Sequence, residues 1–287
     1  MSLPFNPADI KALALDLDGT ILGPGAVLSG RTLRVLAALR DRGLQLIIAT
    51  GRAVEAAERF RAPLGAEGPS IYFNGALVVD MPERRVLDST LLDPGVVDFC
   101  VDISRRRKAY FQVFFPETAA CPSDTKRPGN RLLAEWGGPE RDMYHNHTGI
   151  LAEIGDLKEA LTAPGLRGCI KGMFLAEPEM QDTLRAEIEE RFGKSVYISQ
   201  TLRTFLEIMD AGVSKGEGLK KVLEYRGLKA AEVIAFGDEE NDLPLFAAAG
   251  FSVAPANAKE SVKAAANVVV GSNAEDGVAA WLEEIGI

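Results

Sequence analysis

Five short segments of this chain are apolar at nearly every position: "IKALALDL" (10–17), "LQLIIAT" (44–50), "EVIAFGD" (232–238), "FSVAP" (251–255) and "NVVVG" (267–271). A strand exposed on one face alternates apolar with polar residues; a continuous apolar run belongs to a strand covered on both faces, the habit of parallel sheets. Helical patterns lie between the runs. Ser29 can cap "SGRTLRVLAALRDRG" (29–43), where Leu33, Leu36, Ala37 and Leu39 or Arg40 recur at helical spacing and Gly43 ends the pattern. "AVEAAERFRAPLG" (53–65) reads as a second helix, and "SIYFNGALVVD" (70–80) as a third strand with an Asn-Gly turn. A right-handed β-α-β-α-β unit, hence an α/β fold with a parallel sheet, is the arrangement this order requires.

The same grammar returns at the C-terminal end, with helices over "GVSKGEGLKKVLEYRG", "NDLPLFAAAG", "AKESVKAAA" and "DGVAAWLEEIG". The middle differs. Amphipathic helices ("GVVDFCVDISRRRK", "GDLKEALTA", "EMQDTLRAEIEERFG") interleave with strands ("AYFQVFF", "GCIKGMFLA", "SVYIS", "RTFLEIM"). An α+β module over 84–209, inserted into a discontinuous core made of 1–83 and 210–287, is expected. A length of 287 residues suits two domains.

Charge and cysteine usage exclude several classes. The net charge is −9, with a sequence pI near 5.0, a poor basis for gripping nucleic acid or anionic lipid. No run of 18 apolar residues predicts a membrane span, and no basic-then-apolar leader predicts secretion. Cys100, Cys121 and Cys169 are odd in number and widely spaced. That fits a reducing, cytoplasmic setting without disulfides or a zinc site. The only histidines, His145 and His147, fall in a stretch expected to be a solvated loop, and "NHT" there reads as a chance sequon. No GxGxxG or GxxxxGK[ST] motif is present. The "RRRK" at 105–108 reads as the solvated end of a helix.

Polar residues collect where the strands end. Asp16 and Asp18 close the first run. Thr50, Gly51 and Arg52 close the second, and Asp238, Asn241 and Asp242 follow "EVIAFG". Lys215 opens its helix. Ligands of open α/β sheets bind at the carboxyl ends of the strands. Residues two apart on an extended segment face the same side, so Asp16 and Asp18 can serve one centre.

With "DLDGT" (16–20), "ATGR" (49–52), Lys215 and "GDEEND" (237–242) in this order, the chain resembles the haloacid dehalogenase superfamily, specifically the Cof-type phosphatases of subfamily IIB. "FNGA" (73–76), "ANA" (256–258) and "DGVAAWLEE" (276–284) also match that pattern, and "VAPANA" departs from it, with Pro255 in a loop that usually carries methionine and glycine. The resemblance implies a Rossmann-like core with an inserted cap of the C2B type. It implies a Mg²⁺-dependent hydrolysis of phosphate monoesters of small metabolites such as sugar phosphates (EC 3.1.3.-). By it, Asp16 attacks phosphorus and forms an aspartyl-phosphate, and Asp18 serves as acid and then base. Lys215 offsets charge, and Thr50, Gly51 and Asn241 hold phosphoryl oxygens. Asp16, the Asp18 carbonyl and Asp238 hold the metal, with Asp242 direct or through a water; Asn74 is a candidate substrate contact, and Arg52 either touches substrate or cap or makes a structural ion pair. The cap acts as a lid that reads the leaving group. An acid at Asp18 separates phosphatases and phosphomutases from dehalogenases, whose halide leaves without a proton. A phosphomutase of the same fold and a non-catalytic phospho-ligand binder are the alternatives. The expected protein is a monomer or homodimer.

Overall fold

The computed structural model describes residues 5–116, 131–162 and 168–287. The chain divides into two compact units: 1–52, 57–88 and 214–287 form one, and 53–56 with 89–213 form the other. Cys121 lies outside the described residues. Cys100 and Cys169 are buried free thiols of the second unit.

The chain opens with β1 (Ala12–Leu15), α1 (Gly30–Asp41), β2 (Gln45–Ile48), α2 (Val54–Leu64), β3 (Gly68–Tyr72), β4 (Leu77–Met81) and β5 (Arg85–Ser89). Ser29 caps α1 as its side chain accepts the Thr32 N–H, the pairing its position predicts. The inserted unit carries α3 (Pro94–Arg107), β6 (Tyr110–Phe115), β7 (Arg131–Ala134), α4 (Pro139–Thr148), β8 (Glu153–Ile154) and α5 (Leu157–Thr162). It continues with β9 (Lys171–Leu175), α6 (Pro178–Phe192), β10 (Val196–Leu202) and β11 (Phe205–Asp210). The chain then returns to the first unit with α7 (Lys215–Arg226), β12 (Val233–Phe236), α8 (Leu243–Ala248), β13 (Phe251–Pro255), α9 (Glu260–Ala265), β14 (Val268–Val270) and α10 (Gly277–Ile285).

In the first unit the strands run β14-β13-β12-β1-β2, every pair parallel. β1 and β12 are buried at every position, which is why their sequences do not alternate. The chain moves outward from β1 to β2 and later returns on β1's other flank as β12. The boundary between β1 and β12 is therefore the switch point, where such sheets open a crevice at their carboxyl ends. Leu15 pairs with Ile48 and Phe236, so the residues that follow all three strands emerge at one level.

One strand departs from expectation. β3 was to join the parallel sheet, yet it touches that sheet through a single parallel bridge, Ala49 with Ile71, and pairs antiparallel with β4 in a separate three-stranded sheet, β3-β4-β5. The turn at 73–75 folds the chain straight back, and the hairpin satisfies the backbone groups that a full parallel pairing would have used.

The second unit is a six-stranded sheet, β10-β11-β9-β6-β7-β8, largely antiparallel, with α3, α5 and α6 on one face. Phe111, Val113, Phe115, Phe174, Leu206 and Ile208 point into that layer at every second position. His145 and His147 correct an expectation: they lie in the last turn of α4, not in a loop. Pro139 at the helix start and left-handed Gly149 at its end define a helix that a single apolar anchor, Tyr144, does not announce by periodicity. Arg105, Arg106 and Arg107 end α3 as expected and pair with Glu135 and Glu187. Among the described residues no helix is long and apolar enough to cross a membrane.

Candidate active site

Asp16 follows β1 directly, and its N–H donates to the Phe236 carbonyl at 3.1 Å. The strand ladder thus sets the aspartate beside the loop after β12. Its carboxylate is buried and accepts a 2.6 Å bond from Lys215 Nζ. Lys215 is the first residue of α7, whose cap Ser214 accepts the Glu217 N–H. The same ammonium donates to Asp242 Oδ1, also at 2.6 Å. Asp242 Oδ2 accepts the N–H groups of Asp238 and Glu239, at 2.9 and 3.1 Å, so this side chain folds its own loop into shape. Asp238 Oδ1 accepts from Thr20 Oγ1 at 3.0 Å.

One buried lysine therefore faces three buried carboxylates. Asp16, Asp238 and Asp242 each offer an oxygen within 4.8 Å of the others. The imbalance shows in their acidity. Burial pushes the Asp16 carboxyl well above its ordinary range; Lys215 opposes this, and Asp242 and Asp238 reinforce it. Burial, with Asp242 beside it, pushes Asp238 up to about 6, against the Thr20 hydrogen bond. Burial works to lower the Lys215 ammonium, and the Asp16 and Asp242 carboxylates overcome it and hold it above the ordinary lysine range. An excess of hard oxygen donors around one ammonium fits a hard divalent cation, which would remove the imbalance.

Gly19 makes the approach possible. Its φ is +76°, and a Cβ there would lie 2.1 Å from Asp238 Oδ2. Asp18 is half exposed, and Arg52 grips it in a fork, Nε to Oδ2 and Nη2 to Oδ1, both at 2.6 Å. The Arg52 guanidinium also stands 5.1 Å from the Phe60 ring centre. Thr50 is buried at the end of β2, and its Oγ1 accepts the Arg52 N–H at 3.1 Å. Asn241 Nδ2 donates to Asn74 Oδ1 at 2.9 Å, which joins the loop after β12 to the turn after β3.

The structure thus brings Asp16, Lys215, Asp238 and Asp242 into one hydrogen-bonded cluster. Asp18 and Arg52 pair at its sequence neighbours, and Asn74 and Asn241 pair with each other. Sequence reasoning assigned no role to Thr20 or Asn257. Asn257 Nδ2 donates to the Gly19 carbonyl at 2.8 Å, its Oδ1 accepts the Asn273 N–H, and it thereby anchors the Asp18–Gly19 turn. Thr20 lies within "DLDGT" and Asn257 within "ANA", but their partners are more than 200 residues away in sequence, so nothing local marks these bonds.

Chemically, the arrangement offers a carboxylate with one oxygen held by an ammonium, a second carboxylate open to solvent two residues on, and a cation-ready carboxylate cluster. A family model described as haloacid dehalogenase-like hydrolase matches residues 13–282. The pyridoxal phosphate phosphatase YbhA of Escherichia coli is 29% identical over 280 residues, covering 95% of this chain and 97% of that protein. The 5-amino-6-(5-phospho-D-ribitylamino)uracil phosphatase YitU of Bacillus subtilis is 30% identical over 285 residues, covering 95% and 96%. A haloacid dehalogenase-like hydrolase from Bacteroides thetaiotaomicron shares the fold, with a TM-score of 0.83 at 24% identity over 96% of this chain and 99% of that one.

Proposed function

The chain belongs to the haloacid dehalogenase-like hydrolase family and is a phosphatase of that family, and within that class we propose that it is a Mg²⁺-dependent enzyme hydrolysing phosphate monoesters of small metabolites through an aspartyl-phosphate on Asp16. The observation that carries this reading is Lys215 held between Asp16 and Asp242. It turns one Asp16 oxygen inward and leaves the other for in-line attack on phosphorus. Sugar phosphates and phosphorylated cofactors are the substrate class, given relatives named for pyridoxal phosphate and for a phosphoribityl uracil.

Asp16 forms a bond from its carboxylate oxygen to phosphorus as the ester P–O bond breaks, and Asp18 gives its proton to the departing alkoxide. Water then attacks phosphorus, Asp18 takes the water's proton, and the Asp16–phosphorus bond breaks to release phosphate. Lys215, the Thr50 hydroxyl, the Gly51 N–H and Asn241 hold the phosphoryl oxygens in this reading. Both Asp18 oxygens accept from Arg52 in the structure, so in this reading Arg52 turns from Asp18 to the substrate before Asp18 carries the proton it gives. Asp16, the Asp18 carbonyl and Asp238 would hold Mg²⁺, with Asp242 direct or through a water. Since both Asp242 oxygens already accept protein hydrogen bonds, the indirect role fits it better. Bound there, Mg²⁺ would supply positive charge that lets a phosphate dianion approach carboxylates.

The test is phosphate release from a panel of phosphorylated sugars, nucleotides and cofactors, with Mg²⁺ and with a chelator, for the natural chain and Asp16→Asn. Release that requires both Mg²⁺ and Asp16 supports the reading. Formation of an isomeric sugar phosphate in place of free phosphate would move it to a mutase.

A further inference from the structure

Three consecutive residues after β3 share an uncommon backbone: Phe73, Asn74 and Gly75 have φ of 49°, 55° and 102°. Positive φ suits glycine and is tolerated by asparagine, but is a strain for phenylalanine. Such strain persists only where the surroundings over-determine it, and it gathers at functional sites. Here the surroundings are the loops of the site. The Phe73 N–H donates to the Arg52 carbonyl at 3.1 Å and the Asn74 N–H to the Thr50 carbonyl at 3.0 Å. Gly75 packs so tightly on α7's cap that a Cβ would lie 2.0 Å from the Ser214 carbonyl oxygen. The turn thus touches the Thr50–Arg52 segment, the residue before Lys215 and, through the Asn74 side chain, Asn241.

The Asn74 side chain is 2% exposed, and its amide is not fully used. Its Oδ1 accepts from Asn241, while its own Nδ2 has no partner, and neither does Asn241 Oδ1. A buried amide left unpaired is costly, and the cost asks for an explanation. Exchanging oxygen for nitrogen on both amides does not remove it, because a carboxamide pair joined by one bond keeps N–H groups unspent in either orientation. The amide also lies against the segment expected to hold phosphoryl oxygens: a Cβ on Gly51 would be 2.9 Å from Asn74 Oδ1 and 3.3 Å from Nδ2. An unspent donor beside an unspent acceptor matches a phosphoryl group with its oxygens, hydrated or singly protonated.

We propose that Asn74 binds the transferred phosphoryl group: its carboxamide N–H donates to a phosphoryl oxygen, and its Oδ1 holds Asn241 in place for the same group. The strained turn exists to put that amide there. This rests on the phosphatase reading above. It differs from a contact to the leaving group in one measurable respect. The phosphoryl group is common to all substrates, so loss of Asn74 lowers activity toward every substrate by one factor and leaves their ranking unchanged.

The test uses the full chain with Asn74→Gly and Asn74→Asp. Glycine accepts φ 55° without strain, so the fold is kept while the amide is lost. Aspartate keeps the acceptor for Asn241, lacks the N–H and adds a repelling charge. Inorganic phosphate is the probe, as a competitive inhibitor, alongside kcat/KM across the substrate panel and the thermal midpoint. Loss of one charge-assisted hydrogen bond predicts about 10- to 100-fold weaker phosphate inhibition and lower kcat/KM in both variants. The factor should be equal across substrates, larger for Asn74→Asp, and Asn74→Gly should unfold no earlier than the natural chain. Unchanged phosphate inhibition in both variants overturns the proposal. So does a loss that reorders the substrates, or one in which the thermal midpoint of both variants falls in step with affinity. A natural chain that hydrolyses no phosphomonoester refutes the phosphatase reading itself and takes this inference with it.

Discussion

Asp238→Asn should make the metal-free protein more stable at neutral pH while it weakens its response to Mg²⁺. Asp238 sits in a cluster where burial and Asp242 raise its carboxyl from 3.8 to about 6. A raised carboxyl is one that the folded protein prefers to keep protonated, so its favourable contribution is present below about pH 3.8 and is lost as pH rises through about 6. The full rise is worth about 3 kcal/mol above that range. Asparagine keeps an oxygen for Thr20 Oγ1 but brings N–H groups that need partners, so the net gain should be nearer 2 kcal/mol. For a domain of this size that is roughly 4–8 °C. The assay is thermal unfolding in chelator from about pH 4 to pH 8 for both chains. The gap should open as pH rises and be small at the acid end. With Mg²⁺ at about a hundred times its Kd, the natural chain should gain about 2.7 kcal/mol. The variant should gain little, which reverses their order. A variant less stable than the natural chain in chelator at neutral pH, or a gap independent of pH, would refute the reasoning that excess buried charge strains this cluster.

Asp18→Asn should lower turnover of alkyl phosphates about 10²- to 10⁴-fold, as loss of a general acid does. With 4-nitrophenyl phosphate, whose leaving group needs no proton, it should retain a rapid first release of nitrophenol; stopped-flow absorbance separates the two. Lys215→Met leaves Asp16 and Asp242 as unpaired buried carboxylates and should cost about 3–5 kcal/mol, read by denaturant titration in chelator. Gly19→Ala drives a methyl group into Asp238 Oδ2 at a φ of +76°, so both Mg²⁺ response and phosphate release should fall, while thermal unfolding reports at least about 1 kcal/mol of strain.

How much of this could be seen in the sequence depends on the range of the interaction. β1, β2 and β12 were legible because strands buried on both faces must be apolar at successive residues, and "LALDLD" shows both the run and its acidic end. The Ser29 cap was legible for the same local reason. The geometry that makes Lys215 a bridge was not. It joins residues 199 and 27 positions away, and nothing local marks a lysine that will hold two carboxylates. Thr20 and Asn257 were hidden likewise, since their bonds run across the sheet. The composition of β3 suits a parallel sheet, but the tight turn at Phe73–Gly75 pairs it with β4 instead, and composition does not record turn geometry. α4 looks like a loop in sequence because its polar residues outnumber its single buried anchor, Tyr144.

In the proposed mechanism Asp16 carries the phosphoryl group between two displacements. The most direct measurement is rapid acid quench of the natural chain turning over an alkyl phosphate with Mg²⁺, followed by mass spectrometry of its peptides. One phosphoryl group is expected on the peptide bearing Asp16, absent in Asp16→Asn and absent without substrate. Phosphate released by Asp16→Asn, or a phosphoryl group found on any other residue, would contradict it.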